Sequence, residues 1–202
     1  MEEKFAKIIS VILFPVFFPS YTLLILFYFN NFNTFQIPLN AKFMVFSIVF
    51  ITTCIFPLLF YYVMKKRGMI KSIRMETSEE RVFPLIITSV LYAMAFYMLK
   101  DIEVLSLFHY FLWGTIILLI ITLLINFITK ISIHMIGIGG MTGAMIGISL
   151  RMHVDIQALI LLFVFLSGLS AYARLKLKAH SQVQIYSGFL CGLLIMLIIF
   201  QL

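Results

Sequence analysis

Charged residues are scarce in this sequence. Lysine and arginine number 15, aspartate and glutamate number 8, and together they make up only 11% of the 202 residues. Soluble domains carry about 25%. Hydrophobic residues make up 63% and the mean hydropathy is +1.12, far more apolar surface than a water-soluble fold can bury. These values exclude a soluble globular protein and predict that a lipid bilayer surrounds most of the chain.

Cysteine is rare as well, and several site motifs are missing. Cys54 and Cys191 both lie deep inside apolar segments, so they provide neither a disulfide framework nor the spacing of a metal site. The sequence also lacks a phosphate-binding glycine loop and a paired-carboxylate arrangement. We therefore expect neither a bound metal nor a cofactor.

Seven apolar stretches are long enough, or nearly so, to cross a hydrocarbon core that takes about 20 helical residues. They lie near residues 7–29, 42–64, 83–99, 104–128, 131–150, 156–173 and 180–201. The sequence thus predicts an all-α polytopic transmembrane bundle of six to seven spans, which forms a single domain over residues 1–202. The residues before the first span are acidic where a signal peptide would be basic, so we expect that span to be a retained anchor.

The net charge of +7 is carried mainly by short loops between the spans. In such loops basic residues set topology or meet anionic lipid, so no nucleic-acid partner is expected. If the spans alternate, only Lys42, Lys100 and Arg151 of the 15 basic residues lie on the side opposite the N-terminus. The positive-inside rule then predicts a cytoplasmic N-terminus.

Glycine is concentrated in the last third of the chain. The fifth span carries glycine at every fourth position from Gly139 to Gly147, and the seventh carries Gly188 and Gly192. Small residues let transmembrane helices approach each other closely. Together with Gly168 in the sixth span, this pattern predicts that the last three spans form the tight centre of the bundle.

Polar residues gather at three points, all of which the alternation of spans assigns to the N-terminal side. The three points are the loop 74–81, the segment 130–134 that opens the fifth span, and the connection 174–184. The planar guanidinium of arginine can donate two hydrogen bonds to the oxygens of one phosphate. The free N–H groups and the dipole at a helix N-terminus also favour a bound anion. Two histidines can supply a nucleophile and a general acid. Each histidine alone would suggest an interfacial side chain satisfied by backbone, but the combination predicts a phosphate-processing site.

These residues resemble the type 2 phosphatidic acid phosphatase superfamily. The pattern of that family is Lys-x6-Arg-Pro, then Pro-Ser-Gly-His, then Ser-Arg-x5-His-x3-Asp. This chain has Arg74-x6-Arg81, Ser132-x-His134 and Arg174-x5-His180. The likeness extends over roughly residues 70–200, which it implies form a catalytic core like that of the family. The resemblance is greatest to a subgroup of short bacterial integral membrane proteins. It implies that this protein lies in a bacterial inner membrane.

The resemblance also implies roles for individual residues. His180 would be the nucleophile that forms a phosphohistidine, and His134 the general acid and then the base that activates water. The phosphoryl oxygens would be held by Arg74, Arg81, Ser132 and Arg174, with Gln184 and Lys130 in support. Gln184 stands where the family has an aspartate, so it can orient the imidazole of His180 but cannot supply a negative charge.

We therefore expect a metal-independent phosphatase that acts on a lipid phosphomonoester or a prenyl pyrophosphate at the membrane surface. A lipid phosphoryl or phosphoalcohol transferase on the same site is an alternative, with a hydroxyl in place of water as acceptor. A non-catalytic protein that binds anionic lipid is a third possibility, which the neutral Gln184 favours. The sequence leaves the headgroup, the lipid tail and the oligomeric state open.

Overall fold

A computed structural model describes residues 2–28, 37–71, 75, 77–102 and 106–202 of the chain. All regular secondary structure in these residues is helical. The helices of the first half are α1 (Glu2–Ile12), α2 (Phe18–Tyr28), α3 (Leu39–Phe50) and α4 (Phe56–Lys66). Those of the second half are α5 (Ser78–Leu99), α6 (Ser106–Ile128), α7 (Ile133–Met152), α8 (Gln157–Lys176) and α9 (Gln182–Gln201). A 3₁₀ turn (Pro15–Phe17) precedes α2, and a π-helical turn (Ile51–Ile55) joins α3 to α4.

Seven helical stretches of the described chain are long and apolar enough to cross a bilayer. They are Glu2–Tyr28, Leu39–Lys66, Ser78–Leu99, Ser106–Ile128, Ile133–Met152, Gln157–Lys176 and Gln182–Gln201. Each coincides with a stretch that the hydropathy of the sequence predicts. The all-α, polytopic transmembrane fold is therefore confirmed, and the chain is an integral membrane protein.

The chain forms two compact units. Unit 1 consists of Met1–Phe18 and Ile131–Leu202, and unit 2 consists of Pro19–Lys130. Unit 1 thus joins the N-terminal helix α1 to the three last helices, α7 to α9, and holds most of the residues that the sequence analysis proposed as a site. That the whole chain behaves as a single domain stays a prediction.

Helices α7 and α9 of unit 1 pack with their backbones in direct apposition. A Cβ added at Gly139 or Gly143 of α7 would overlap the backbone carbonyl of Phe189 or Leu193 in α9. A Cβ added at Gly192 of α9 would overlap the carbonyl of Ile136. Only glycine allows this approach, which is the packing that the four-residue spacing predicts for these two spans.

The third glycine-bearing helix differs from the prediction. A Cβ added at Gly168 of α8 would meet no atom within 4 Å, and this residue is exposed. Gly168 therefore makes no close contact, and the tightly packed glycines of unit 1 lie on α7 and α9. The sequence pattern could not show this, because glycine on a lipid-facing surface looks the same as glycine at an interface.

Helix α1 is amphipathic and packs against α8. The buried residues Ala6 and Ile9 of α1, and Leu13 directly after it, form a small apolar cluster with Ala173. This spacing of three and four residues puts them on one face of the helix. The helix stops before Pro15, because a proline disfavours the helical conformation at the residue that precedes it.

Unit 2 is held by polar contacts at its helix ends as well as by apolar packing. Thr77 caps α5 by accepting a hydrogen bond of 3.4 Å from the backbone N–H of Glu80. The side-chain amide of Asn126 in α6 donates a hydrogen bond of 2.7 Å to the carbonyl of Ser78. The first bond satisfies a backbone N–H at the start of α5, where the helix provides no internal partner. The second bond ties α6 to the first turn of α5.

Candidate functional site

Three helix ends meet at one end of unit 1. The backbone N–H of Ser132, the residue that precedes α7, donates a hydrogen bond of 3.3 Å to the carbonyl of Gln184 in the first turn of α9. A Cβ added at Gly188 of α9 would lie 3.0 Å from the carbonyl oxygen of Ser132. Small residues in α9 thus let the start of α7 rest directly on the first turns of that helix.

The last turn of α8 reaches the same end through a tight reversal of the chain. The N–H of Ala179 donates to the carbonyl of Arg174 over 3.1 Å, and Lys178 adopts a left-handed conformation with φ of 50°. Such a turn satisfies carbonyls at a helix C-terminus and stops the helix. It brings His180 to the start of α9, six residues after Arg174.

A serine of the N-terminal helix joins two of the predicted site residues. Nη1 of Arg174 donates a hydrogen bond of 2.7 Å to Oγ of Ser10, which lies 164 positions away in the chain. The same Oγ lies 3.3 Å from Nε2 of His134, and the carbonyl of Ser10 lies 3.0 Å from that nitrogen. The α1 residue Ser10 therefore bridges the last turn of α8 and the first turn of α7.

The contact with Ser10 decides which nitrogen of His134 carries a proton. A backbone carbonyl oxygen can only accept, so Nε2 of His134 must be the donor. In the neutral imidazole, Nδ1 is then the unprotonated nitrogen. The ring of Phe14 adds an edge contact, with its centroid 5.3 Å from that of the imidazole. Ser10 and Phe14, both from the N-terminal segment, thus hold His134 in one tautomer and one orientation.

A capping box at the start of α9 decides the tautomer of the other histidine. Oε1 of Gln184 accepts the backbone N–H of Ser181 over 3.2 Å, while Oγ of Ser181 accepts the backbone N–H of Gln184 over 3.4 Å. A backbone N–H can only donate, so the amide must present its oxygen here. Nδ1 of His180 lies 3.0 Å from this oxygen and must therefore be the protonated nitrogen.

The two histidines are consequently held in opposite tautomers. His134 carries its proton on Nε2, whereas His180 carries its proton on Nδ1 and has its lone pair on Nε2. A nucleophile needs an exposed lone pair, and a proton-transfer group needs a second nitrogen that can gain and lose a proton. The geometry gives each imidazole a different chemical capability, set by a neighbouring oxygen.

Two buried serines of unit 1 flank this region of the fold. Ser132 is 0% exposed and Ser170, one helical turn before Arg174, is 1% exposed. The hydroxyl oxygen of each has no hydrogen-bond partner among the residues that the structure describes. Buried hydroxyls are normally hydrogen-bonded, and an unmade bond costs about 1–3 kcal/mol. Both positions can therefore gain stability from a polar ligand.

The predicted site residues do not all belong to unit 1. Five of them belong to unit 1: Ser132, His134, Arg174, His180 and Gln184. Arg81 and Lys130 belong to unit 2, and Arg74 lies outside the described residues.

Arg81 has a local role in unit 2. This residue, in the first turn of α5, is 4% exposed, and its Nε donates a hydrogen bond of 2.9 Å to the carbonyl of Met75. The bond ties Met75 to the first turn of α5. Lys130 is half-buried and ends the unit. Their proposed contacts with phosphoryl oxygens stay predictions.

Sequence reasoning did not find Ser10. Its signal was weak: one polar residue in the apolar stripe formed by Ala6, Ile9 and Leu13 on a helix that otherwise looks like a membrane anchor. A single serine in a transmembrane helix commonly bonds its own backbone, so composition gives no reason to choose it.

The described residues contain no cluster of three or more His, Cys, Asp or Glu side chains arranged to hold a metal ion. A comparison of the chain with protein-family models, curated proteins and solved structures finds no significant match.

Proposed function

We propose that this protein is a membrane lipid phosphatase that hydrolyses a lipid phosphomonoester or pyrophosphate through a phosphohistidine. The observation that carries the proposal is the pair of opposite tautomers at one end of unit 1. Gln184 leaves the lone pair of His180 on Nε2, and Ser10 leaves that of His134 on Nδ1. One imidazole can then attack phosphorus through its lone pair, while the other can transfer a proton through its second nitrogen.

The proposed reaction has two displacements at phosphorus. In the first, Nε2 of His180 forms a bond to phosphorus while the bond from phosphorus to the lipid oxygen breaks, and His134 in its imidazolium form gives that oxygen a proton. In the second, His134 accepts a proton from water, the water oxygen bonds to phosphorus, and the P–N bond breaks. The products are a lipid alcohol, or a lipid monophosphate from a pyrophosphate, and inorganic phosphate. Both histidines return to their starting states.

Arg174 and the start of α7 are the proposed binding elements for the phosphoryl oxygens. Arg174 is 8% exposed and ends in a guanidinium, whose planar fork matches a phosphate. The first N–H groups of α7 and the helix dipole favour an anion, and the unbonded hydroxyl of Ser132 can donate to one of its oxygens. These features support a phosphate ligand independently of the histidines.

The proposed membrane is the bacterial inner membrane, with the N-terminus and the site on the cytoplasmic side. The charge count supports this orientation, since three of the 15 basic residues fall on the other side. Substrates of this class present the phosphate at the lipid surface while the acyl or prenyl chain stays in the hydrocarbon. A site at the helix ends of unit 1 suits such a substrate.

The test is release of phosphate by the purified protein in lipid nanodiscs, with phosphatidic acid or a prenyl pyrophosphate as substrate and a chelator present. We expect turnover by the wild type and none by His180→Ala. His153→Asn is the matched control, because His153 ends α7 at a left-handed φ of 53°, which asparagine tolerates. Equal release by wild type and His180→Ala would sink the proposal.

Trapping of the intermediate distinguishes this mechanism from others. A brief reaction with ³²P-labelled substrate, quenched in alkali, should leave acid-labile label on the wild type and none on His180→Ala. Label transferred to an added lipid alcohol instead of water would indicate the transferase alternative. Tight phosphate binding that leaves no label and releases no phosphate would indicate the non-catalytic binder, for which the neutral Gln184 is the structural argument.

A further inference from the structure

Ser10 contacts two site residues: its Oγ contacts Arg174 and, over 3.3 Å, Nε2 of His134, and its carbonyl accepts from the same Nε2. Packing of α1 on α8 is provided by the apolar cluster of Ala6, Ile9, Leu13 and Ala173. At the start of α1, Glu2 forms an ion pair with Lys176 near the end of α8. The bonds from Ser10 to Arg174 and to His134 are additional to this packing.

We propose that Ser10 is a positioning residue of the phosphate site, so that the N-terminal helix is part of the catalytic unit as well as a membrane span. The inference rests on the proposed function and adds a residue to it. Its hydroxyl orients Arg174 for the phosphoryl oxygens, and its carbonyl orients His134 for proton transfer.

The hydroxyl acts through the geometry of the guanidinium. A guanidinium has five N–H donors in one plane, and the bond of 2.7 Å from Nη1 to Oγ of Ser10 commits one of them. Fixing one donor fixes the plane in which the other four lie. A side chain with several rotatable bonds then loses less freedom when a phosphate binds, which is the benefit of a preorganised site.

The carbonyl acts through the tautomer of the imidazole. It holds Nε2–H of His134 over 3.0 Å, so the proton that His134 gains and loses during the reaction is the one on Nδ1. A carbonyl that accepts from an imidazole also stabilises the imidazolium form, which is the acid. Substitution of the Ser10 side chain leaves this carbonyl in place. Such a substitution removes the bond to Arg174 and the longer Oγ contact of 3.3 Å to Nε2 of His134, but it leaves the shorter carbonyl contact that sets the tautomer.

The experiment measures binding and turnover on the same set of variants. Wild type, Ser10→Ala, Ser10→Thr and the control Ser187→Ala are purified in nanodiscs, and inorganic phosphate is titrated by ³¹P NMR. Ser187 lies exposed on α9, and its hydroxyl bonds only the carbonyl of Val183 among the described residues, over 2.6 Å. Turnover of phosphatidic acid is measured in parallel.

For Ser10→Ala we expect the dissociation constant of phosphate and the KM to rise roughly tenfold, because a hydrogen bond to a charged group is stronger than one between neutral groups. The kcat should stay within about twofold, because the carbonyl still holds His134. Ser10→Thr, which keeps the hydroxyl, should restore affinity. Ser187→Ala should match the wild type.

A double-mutant cycle with Arg174→Lys shows whether Ser10 acts through Arg174. Lysine keeps the charge but lacks the planar fork, so adding Ser10→Ala to it should change phosphate affinity less than about twofold. Full additivity of the two effects would overturn the positioning role. So would a Ser10→Ala variant that melts at a lower temperature yet binds phosphate as the wild type does, because the hydroxyl would then be merely structural.

Two outcomes separate this inference from the proposed function. If the wild type binds phosphate but releases none from lipid, the phosphatase proposal fails while the affinity ratio still tests Ser10. If the wild type turns over and Ser10→Ala binds phosphate as well as or better than it, the phosphatase proposal survives and the positioning role is overturned. Tighter binding would show that Ser10 occupies the place of the anion.

Discussion

Oε1 of Gln184 accepts hydrogen bonds from Nδ1 of His180 over 3.0 Å and from the backbone N–H of Ser181 over 3.2 Å. One amide oxygen thus caps helix α9 and selects the tautomer of the proposed nucleophile. The stability of the helix start and the chemistry of the imidazole therefore depend on the same side chain. Substitutions of Gln184 can separate the two effects.

Replacing Gln184 by leucine should remove both contributions. We expect the loss of the capping box to lower the free energy of unfolding by about 1 kcal/mol. The kcat should fall by about a hundredfold, because the side-chain oxygen that accepts the Nδ1 proton of His180 is then removed. Thermal unfolding and phosphate release measure the two effects. Unchanged turnover in a stably folded Gln184→Leu protein would contradict the assigned tautomer.

Replacing Gln184 by glutamate should keep the cap and add a charge. Glutamate has the same reach and is the usual residue at this position of a capping box. A carboxylate beside His180 stabilises the positive charge that develops on the imidazole as it attacks phosphorus. We expect the unfolding temperature to be unchanged and kcat to rise about tenfold. A fall in kcat, with the unfolding temperature preserved, would show that the neutral amide is the better partner.

Replacing Gly192 by alanine should disrupt unit 1. The added Cβ would overlap the carbonyl of Ile136 and lie 2.7 Å from the backbone nitrogen of Gly140, and backbone atoms cannot move aside cheaply. We expect a loss of about 2 kcal/mol or more, measured by thermal unfolding in detergent. Gly168→Ala is the control, because its Cβ meets nothing within 4 Å; it should be neutral or stabilising by up to about 1 kcal/mol. Equal effects of the two substitutions would refute the close packing of α7 on α9.

Labelling of introduced cysteines tests the proposed orientation. Asp155 precedes α8 and Lys176 ends it, so the two residues flank one span. If the site is cytoplasmic, a membrane-impermeant maleimide should label Asp155→Cys in intact bacterial spheroplasts and label Lys176→Cys only after lysis. The native Cys54 and Cys191 lie within spans, and a background protein with both changed to serine removes their signal. The reverse pattern would place the site on the outer face.

The helical membrane fold follows from the amino-acid pattern alone. Apolar stretches of about 20 residues, separated by polar breaks, predict transmembrane helices. In hydrocarbon the backbone N–H and C=O groups must form their hydrogen bonds within the protein, and a helix forms them within its own segment. The seven spans and the glycine packing of α7 on α9 both follow from such local patterns. The residue set of unit 1 at its helix ends, from Ser132 to Gln184, also came from the spacing of motifs.

The contacts between those residues depend on how the helices pack in three dimensions. Ser10 and Arg174 are 164 positions apart, and no local pattern predicts a hydrogen bond between them. The exposure of Gly168 and the local bond of Arg81 to Met75 are equally invisible in the sequence. The hydropathy of a segment indicates whether that segment can span the bilayer as a helix. Polar contacts between helices depend on the rotation and depth of each helix, which are set by packing against its neighbours.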